Sequence, residues 1–353
     1  MQIRDAIDKI ETGEGLSRTE AHDVMREIFS GGVPEEDIKS LLIGLRDKGE
    51  TVEELAGFAE VMRARAAEVL REAGVDTKSL ARNGHLLDTC GTGGDGKGTF
   101  NVSTAVALVA TGAGARVAKH GNRSISSRCG SADVLEALGV AVEMPLARIP
   151  ECLEITGMVF LYAPHLHLSM KHVMGARRSL KTKTVFNLLG PLTNPLNASV
   201  QLAGVYDLGR TEMMARALAI VGAERAFVVA SEDGMDEISL SHHTQLSEAR
   251  NGSVTTRRVL PEEFGLDLHA PEALRQAIAG GDAETNARII MRILDGERGP
   301  HRDIVLANAS AALVVAGLTT SFRDGVGMAE ESIASGRAKK TLEALREFTR
   351  RFA

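Results

Sequence analysis

A glycine-rich stretch at residues 91–104 carries the strongest chemical signal in the sequence, and it reads GTGGDGKGTFNVST. A buried strand is predicted just before it, over 85–89, and a helix rich in alanine and valine just after it, over 102–112. Backbone N–H groups at such a junction can converge on an anion at the positive end of the helix. The stretch matches neither a Walker loop nor a GxGxxG dinucleotide fingerprint. We therefore predict a phosphate-binding glycine loop, with a tight turn and an ordinary helix cap as the alternative.

A second polar loop, the basic loop at residues 119–128, reads KHGNRSISSR and is also predicted to join a strand to a helix. Its cations and hydroxyls would lie at the carboxyl end of a neighbouring strand, in the crevice where open sheets bind ligands. Ammonium and guanidinium groups there suit a ligand with several negative charges. The loop predicts polyanion binding, and a solvated basic turn is the alternative.

Two adjacent carboxylates, Asp236 and Glu237, follow an apolar strand that is predicted to end at Ala230. Carboxylate oxygens are ligands that Mg²⁺ prefers, usually beside the phosphates of a substrate. An isolated Asp-Glu pair in a loop is most often surface charge. The prediction of a metal site therefore depends on the two phosphate-type loops that precede the pair.

The run RRSLKTKT begins at Arg177, whose guanidinium could clamp a carboxylate with two hydrogen bonds. A solvated helix face is the usual state of such a charge run and is the alternative here. His165, His167 and His172 lie close in sequence, but no partner carboxylate accompanies them. We expect these histidines to have a packing or substrate-wall role rather than to bind a metal.

Residues 1 to about 75 carry only helix signals. Capping boxes at Ser17–Glu20 and Thr51–Glu54 predict the starts of two helices, because each hydroxyl and carboxylate can satisfy an N–H group of the first turn. Short amphipathic helices cannot bury their apolar stripes alone. They must pack on one another, on the rest of the chain, or on a second copy of it.

Predicted strands alternate with helices from about residue 85 onward. Strands are predicted over 85–89, 115–119, 140–143, 158–162, 200–206 and 226–230, and the chain is mostly helical from 271 to the end. Such alternation implies parallel pairing with right-handed crossovers, and hence an α/β fold with a helix-covered sheet.

The composition is that of a globular protein: 353 residues, 44% apolar and 25% charged. A net charge of −6 disfavours nucleic acid as a partner. The sequence lacks an apolar signal core and any run of 18 apolar residues, so we expect no membrane association. The cysteines Cys90, Cys129 and Cys152 suggest neither a disulfide framework nor a zinc site, and we expect a cytoplasmic protein.

Taken in order and spacing, these elements resemble the anthranilate phosphoribosyltransferase family, which is nucleoside phosphorylase-like. The resemblance runs from the first helices to about residue 350. Any one of its motifs is a weak signal, but together they are specific for the family. The matching segments are 88–95, 101–104, 119–124, 162–164 with His167, Arg177, 186–195 and 234–237.

The resemblance implies a small N-terminal helical domain and a larger α/β domain with a central, mainly parallel sheet covered by helices. Residues 1–75 would form the helical domain, completed by about 172–195, and residues 80–171 and 196–353 the α/β domain. The active site would lie in the cleft between them. The family usually forms homodimers through its helical domains, which would cover apolar stripes left exposed.

The implied reaction is displacement at the anomeric carbon of 5-phosphoribosyl 1-pyrophosphate (PRPP) by the amine of anthranilate, in tryptophan biosynthesis, with Mg²⁺ as cofactor. The residues implied for PRPP are Gly91, Gly94, Asp95, Thr99, Asn101, Val102, Ser103, Thr104, Lys119, His120, Gly121, Asn122, Arg123, Ser124, Ile125, Ser126, Ser127 and Ser131. Those implied for anthranilate are Gly91, Asn122, His167 and Arg177. Those implied for magnesium are Ser103, Asp236 and Glu237.

Two alternatives share parts of this pattern. A pyrimidine nucleoside phosphorylase would also use a glycine loop, but it needs no carboxylate pair for a diphosphate-bound magnesium. A nonenzymatic relative that binds nucleic acid should have a surplus of basic residues and eroded site residues, whereas this chain is acidic and its motifs are complete. Both alternatives are therefore disfavoured.

Overall fold

The computed structural model describes residues 1–82, 84–124 and 128–352. Helices open the chain, as the sequence predicts: α1 (Ile3–Glu11), α2 (Arg18–Ser30), α3 (Glu35–Lys48), α4 (Val52–Glu72) and the short α5 (Thr77–Arg82). Both predicted capping boxes are present, because the Ser17 and Thr51 hydroxyls accept hydrogen bonds from the backbone N–H groups of Glu20 and Glu54. These bonds satisfy donors that a first helical turn leaves without a partner.

Within the described residues, seven strands form one sheet in the order β3-β2-β1-β4-β5-β6-β7. The strands are β1 (Leu87–Gly91), β2 (Val117–Gly121), β3 (Met158–Tyr162), β4 (Val200–Gly204), β5 (Arg225–Ser231), β6 (Thr244–Arg250) and β7 (Ser253–Val259). Strands β1 to β5 pair in parallel, and β6 and β7 form an antiparallel hairpin at one edge. The predicted mainly parallel sheet is confirmed.

Helices cover both faces of this sheet. They are α6 (Val102–Gly112), α7 (Ser131–Ala137), α8 (Ile149–Thr156), α9 (Ala163–Leu166), α10 (Lys171–Leu180), α11 (Val185–Leu192), α12 (Thr211–Ile220), α13 (Pro271–Ala277), α14 (Ala283–Leu294), α15 (Pro300–Val315), α16 (Phe322–Ala334) and α17 (Arg337–Arg350). In the described ranges, none of the helices combines the length and the apolar character needed to cross a membrane.

The two faces of the sheet belong to different apolar cores. On β5, Phe227 and Val229 pack into a core with α6 and α15, whereas Ala226 and Val228 point to the other face. That second core contains α12 and the apolar stripes of α1 to α4. The stripes of the N-terminal helices are therefore covered within one chain.

Strand β1, the middle one of the five parallel strands, is the point at which the chain changes direction across the sheet. After β1 the chain adds β2 and β3 on one side, and β4 then returns to the other side of β1. Loops that leave the carboxyl ends of strands at such a point diverge, and open α/β sheets bind ligands in the crevice between them. The glycine loop follows β1 and the basic loop follows β2, so both lie at this edge.

Some strand predictions need correction. Strands β1 and β2 begin and end two residues later than predicted, because their parallel pairing continues to Gly91 and Gly121. The predicted strand at 140–143 is wrong: this segment is a loop, and the Ala141 N–H donates to Oγ1 of Thr349 in α17 at 3.1 Å. The β6–β7 hairpin was not predicted.

Candidate active site

The glycine loop closes over Asp236, which reaches it from the loop after β5. The Gly93 N–H donates to Oδ2 of Asp236 at 2.9 Å. A Cβ atom on Gly91 would lie 2.6 Å from the same oxygen, and one on Gly204 would overlap the Asp236 backbone. Glycine is therefore required at the ends of β1 and β4 for the carboxylate to come this close.

The carboxyl groups of this site are half-buried and repel one another. Burial and the charge of Asp95 raise the pKa of Asp236 to about 7. Burial and the charge of Asp236 raise the pKa of Glu237, which is held by the backbone N–H of Ser103. A bound cation would offset this repulsion, because an opposite charge favours the ionised form of a carboxyl group.

The donor set suits Mg²⁺ bound together with a phosphorylated substrate. Oδ2 of Asp95 is buried and has no hydrogen-bond partner in the described part of the chain. Within those same residues, no group of three or more His, Cys, Asp or Glu side chains converges on one point. Mg²⁺ usually takes one or two protein carboxylates, water and substrate phosphates, so Asp236 and Glu237 fit it.

Lys119 lies buried at the centre of the site. Its Nζ donates to the Thr89 carbonyl and, at 3.2 Å, to Oγ of Ser103. Burial lowers the pKa of Lys119, while the nearby Asp88 acts to raise it. The ammonium thus brings a positive charge to the start of α6, where Ser103 lies.

Asp88 and Asn194 lie behind this lysine, and the sequence analysis did not propose either residue as part of the site. Both are fully buried, and Nδ2 of Asn194 donates to Asp88 at 2.8 Å and to the Ala118 carbonyl at 2.8 Å. A charged residue inside an apolar predicted strand was the available signal, because a buried charge requires partners.

The polar side chains at the start of α6 differ in whether they already have hydrogen-bond partners in the described part of the protein. Oγ1 of Thr104 is buried without a partner among the described residues. The Asn101 side chain instead donates to the Cys129 carbonyl at 3.2 Å and accepts from Asn286 at 2.9 Å. Val102 packs in the core. Thus Thr104 is available to a ligand, whereas the Asn101 side chain links the two loops to α14.

Thr99 lies on the side of the glycine loop that faces Ala279 and Gly280. It pairs with Ala279 in an isolated β-bridge, and the Gly280 N–H donates to the Gly98 carbonyl at 2.8 Å. A cavity of about 120 Å³ adjoins Thr99 and Lys97 on this side. The loop is thereby held against the segment that leads into α14.

The basic loop is tied to α7. Arg123 donates to both oxygens of Glu136, to Asp133 at 3.3 Å and to the Tyr162 hydroxyl at 3.1 Å. The Glu136 carboxylate raises the pKa of Arg123. The side chain of Arg123 therefore points to protein carboxylates. Ile125, Ser126 and Ser127 lie outside the described residues.

Other described groups in and beside the basic loop are also hydrogen-bonded. The Asp133 carboxylate accepts from the N–H groups of Ser124 and Gly130, at 3.0 and 2.8 Å. The Asn122 carbonyl accepts from the Ala132 N–H at 3.1 Å and from Oγ of Ser131 at 3.3 Å. The Asn122 side chain is exposed, and its Oδ1 accepts from the N–H of the next residue at 2.7 Å.

The histidines separate into different environments. His120 and His167 meet edge to face, with ring centres 5.1 Å apart. Burial lowers the pKa of His167 to about 4 and also lowers that of His120, so both imidazoles are neutral at pH 7. His165 lies against Tyr162 and Glu143, and His172 lies beside Gly31.

Arg177 lies on α10 with its guanidinium 5.2 Å from the centre of the Phe186 ring. Burial lowers the pKa of Arg177. No carboxylate pairs with it in the described ranges, so its fork of donors is available to an anionic ligand.

Comparisons with known proteins agree with this geometry. The glycosyl transferase family matches by its helical bundle domain at residues 4–66 and by its a/b domain at residues 83–339. The anthranilate phosphoribosyltransferase of Acetivibrio thermocellus is 48% identical over 350 residues, 99% of this chain and 97% of that protein.

Solved structures match over the same extent. The enzyme of that name from Thermus thermophilus is 41% identical, with a TM-score of 0.86 over 98% of this chain and 99% of that one. The enzyme from Saccharomyces cerevisiae in complex with PRPP and Mg is 29% identical, with a TM-score of 0.84 over 99% and 98%. The yeast enzyme has also been solved in complex with 4-fluoroanthranilate. Because fold, motif order and full-length identity agree, this chain belongs to the anthranilate phosphoribosyltransferase family.

Proposed function

We propose that the protein transfers the phosphoribosyl group of PRPP to the amine of anthranilate and releases pyrophosphate, as a step of tryptophan biosynthesis. The observation that carries this proposal is the meeting of the glycine loop with the Asp-Glu pair at the switch point of the sheet, where Gly93 donates to Asp236. A phosphorylated sugar and a divalent cation are the ligands that such a combination suits. Relatives of that name match over nearly the whole chain, which supports the same assignment.

In this proposal PRPP binds along the glycine loop, the basic loop and the start of α6. Backbone N–H groups and the positive end of α6 bind phosphoryl oxygens, and Lys119 supplies a buried positive charge. Arg123 reaches the ligand only after it leaves Glu136. The remaining PRPP residues are Gly91, Gly94, Asp95, Thr99, Asn101, Val102, Ser103, Thr104, His120, Gly121, Asn122, Ser124, Ile125, Ser126, Ser127 and Ser131.

Asp236, Glu237 and Ser103 hold Mg²⁺ in this proposal, beside the diphosphate of PRPP. Bound there, Mg²⁺ supplies Lewis-acid stabilisation of the negative charge on the leaving pyrophosphate. The chain fixes the two carboxylates in advance, through the N–H groups of Gly93 and Ser103. The yeast complex with PRPP and Mg supports the choice of metal.

Anthranilate binds between α10 and the neutral imidazoles. Arg177 takes its carboxylate, Asn122 and Gly91 contact the ring substituents, and His167 lines its path. The amine of anthranilate is unprotonated at neutral pH, so its attack requires positioning rather than a general base. A His167 with a pKa of about 4 suits this wall, because it stays neutral and does not repel Arg177.

The test is to follow anthranilate fluorescence with the purified protein, PRPP and Mg²⁺ at neutral pH. We expect a decrease that requires all of these components and that stops when the metal is chelated. Ribose 1-phosphate in place of PRPP is the control and should give no decrease. Phosphorolysis of a pyrimidine nucleoside, or fluorescence that stays constant with PRPP and Mg²⁺, would contradict the proposal.

We also propose the domain division given above, a homodimer formed through the helical domain, and a cytoplasmic location. The dimer no longer follows from uncovered apolar stripes, because those stripes pack within the chain. It is proposed from family membership alone, and light scattering after size-exclusion chromatography tests it. Cys90 and Cys152 are free thiols, which suits a reducing compartment, and cell fractionation tests the location.

A further inference from the structure

Lys183 carries a positive charge that faces the glycine loop from the other side of the site. It lies in the connection between α10 and α11, which pack in the second core with the N-terminal helices. Its Cε lies 3.4 Å from the position that a Cβ atom on Gly94 would occupy. Gly94 has a φ of +71°, so the loop presents bare backbone to this lysine.

The ammonium group of Lys183 has an aromatic partner instead of an acidic one. Its Nζ lies 3.4 Å from the centre of the Tyr206 ring, which follows β4. Within the described ranges no carboxylate pairs with it. Arg210, which lies 5.9 Å from the same ring, is instead bound to Glu50 at 2.7 Å. Lys183 is thus a cation at the site without a charged partner in the described part of the chain.

We propose that Lys183 binds the diphosphate group of PRPP, as a further substrate-binding residue opposite the glycine loop. This inference rests on the proposed function. An ammonium group binds a phosphoryl oxygen through a charge-assisted hydrogen bond, which is stronger than its attraction to the half-buried ring of Tyr206. When PRPP is present, the Lys183 side chain therefore leaves Tyr206 for the ligand. Tyr206 holds the side chain near the loop until then.

Three variants test this proposal: Lys183→Met removes the charge, Lys183→Arg retains it, and Lys340→Met removes an exposed charge on α17 as the matched control. For each variant the measurements are KM for PRPP, KM for anthranilate, kcat, and the inhibition constant of pyrophosphate with Mg²⁺. For Lys183→Met we expect KM for PRPP and the inhibition constant of pyrophosphate each to rise about tenfold. KM for anthranilate should change less than about twofold, and Lys183→Arg should recover most of the loss.

The outcomes separate this inference from the function on which it rests. If the unaltered protein does not consume anthranilate, the proposed function fails. If it does, and Lys183→Met behaves like Lys340→Met, only the inference is overturned. Equal losses of affinity for anthranilate and PRPP would also overturn it, because they would indicate a general distortion of the site. Tyr206→Leu is a second test of the proposal, because it removes the ring that holds the Lys183 side chain near the loop. It should raise KM for PRPP by a smaller factor than Lys183→Met.

Discussion

The glycine loop and the basic loop lie side by side at one edge of the sheet, yet they satisfy their polar groups in opposite ways. At the glycine loop, buried oxygens of Thr92 and Asp95 have no partner in the described chain, and the carboxyl group of Asp236 faces the charge of Asp95. At the basic loop, Arg123 is bound by Glu136, and Asp133 accepts two backbone N–H groups.

In the polyanion site that we propose, the two loops would therefore be prepared for a ligand in different ways. Within the described residues, the glycine loop contains polar groups without hydrogen-bond partners, and carboxyl groups that repel one another. Binding of an anion and a cation would therefore stabilise it. In the basic loop the Arg123 guanidinium is already paired with Glu136, so a ligand must compete with that ion pair. Ligand binding should therefore stabilise the first loop and rearrange the second.

The largest effect is expected from Asp236→Asn. We expect kcat/KM to fall about 10³-fold or more, because charge stabilisation of the leaving group is lost. The Mg²⁺ requirement should also move to higher concentration. The measurements are steady-state rates and a metal titration, and an unchanged titration would remove Asp236 from the metal site.

The same variant tests the unfavourable charge at the glycine loop. The folded state raises the pKa of Asp236 from 3.8 to about 7, so folded protein retains a proton that the unfolded chain has released. Stability from this group is therefore fully present below about pH 3.8, falls as pH rises above that value, and is fully lost above about pH 7. We expect Asp236→Asn to raise the Tm of the metal-free protein by about 2 °C or more near pH 8, and by a smaller amount near pH 5. A lower Tm near pH 8 would contradict this account.

Arg177 lies outside both loops and has no carboxylate partner in the described ranges. Its substitution tests whether such an unpaired cation binds a ligand. Arg177→Ala should raise KM for anthranilate about 10–100-fold, with little change in KM for PRPP, because its fork meets only the carboxylate. Arg178→Ala, at the exposed neighbouring position, is the control and should leave both constants unchanged. Equal losses for the two substrates would refute the assigned role of Arg177.

A smaller effect in the opposite direction is expected from Glu136→Gln. This change releases Arg123 from its half-exposed ion pair, a kind of pair that contributes little free energy. We expect KM for PRPP to fall about twofold to threefold, since the ligand no longer competes with Glu136. Glu212→Gln, which weakens a surface pair with Arg216, is the control. A rise in KM for PRPP would contradict internal competition at the basic loop.

The smallest effect is expected from Lys181→Gly. Positive φ angles in the glycine loop fall on glycines, whereas the connection after α10 places a φ of +48° on Lys181. Glycine adopts this conformation without strain, but it also loses more backbone entropy on folding. We expect a net gain of about 0.5 kcal/mol in the free energy of unfolding, measured by urea titration, with unchanged activity. Destabilisation would indicate that the Lys181 side chain makes a favourable interaction.

Motifs were sufficient to locate both loops and the Asp-Glu pair, because residue type and order persist without knowledge of the fold. The alternation of strand and helix signals along the chain also predicted β3 and the start of α6 at Val102. The hairpin of β6 and β7 was missed although its turn, Asn251-Gly252, is a strong hairpin signal. Both residues have positive φ, as that turn requires.

Other features depended on contacts that no local pattern contains. Asn194 reaches Asp88 across 106 residues of sequence, and Asn286 reaches Asn101 across 185. The ion pair between Arg123 and Glu136 was likewise not predicted, because a basic loop has the same composition whether or not its cations are paired with carboxylates of the protein. The sequence thus predicts which groups could bind ligands, whereas packing decides which of those groups are available.

The link between Asn101 and Asn286 limits how far this protein can be shortened. In the described chain every strand is complete by Val259, and every residue proposed for PRPP and Mg²⁺ occurs before that point. Yet the glycine loop is also braced by Gly280, and Gly281 donates to Asn286 at 2.7 Å. A fragment that ends after the sheet would contain all the groups proposed to bind ligands and lack the scaffold that shapes them, so binding capacity is not separable from the residues that follow Val259.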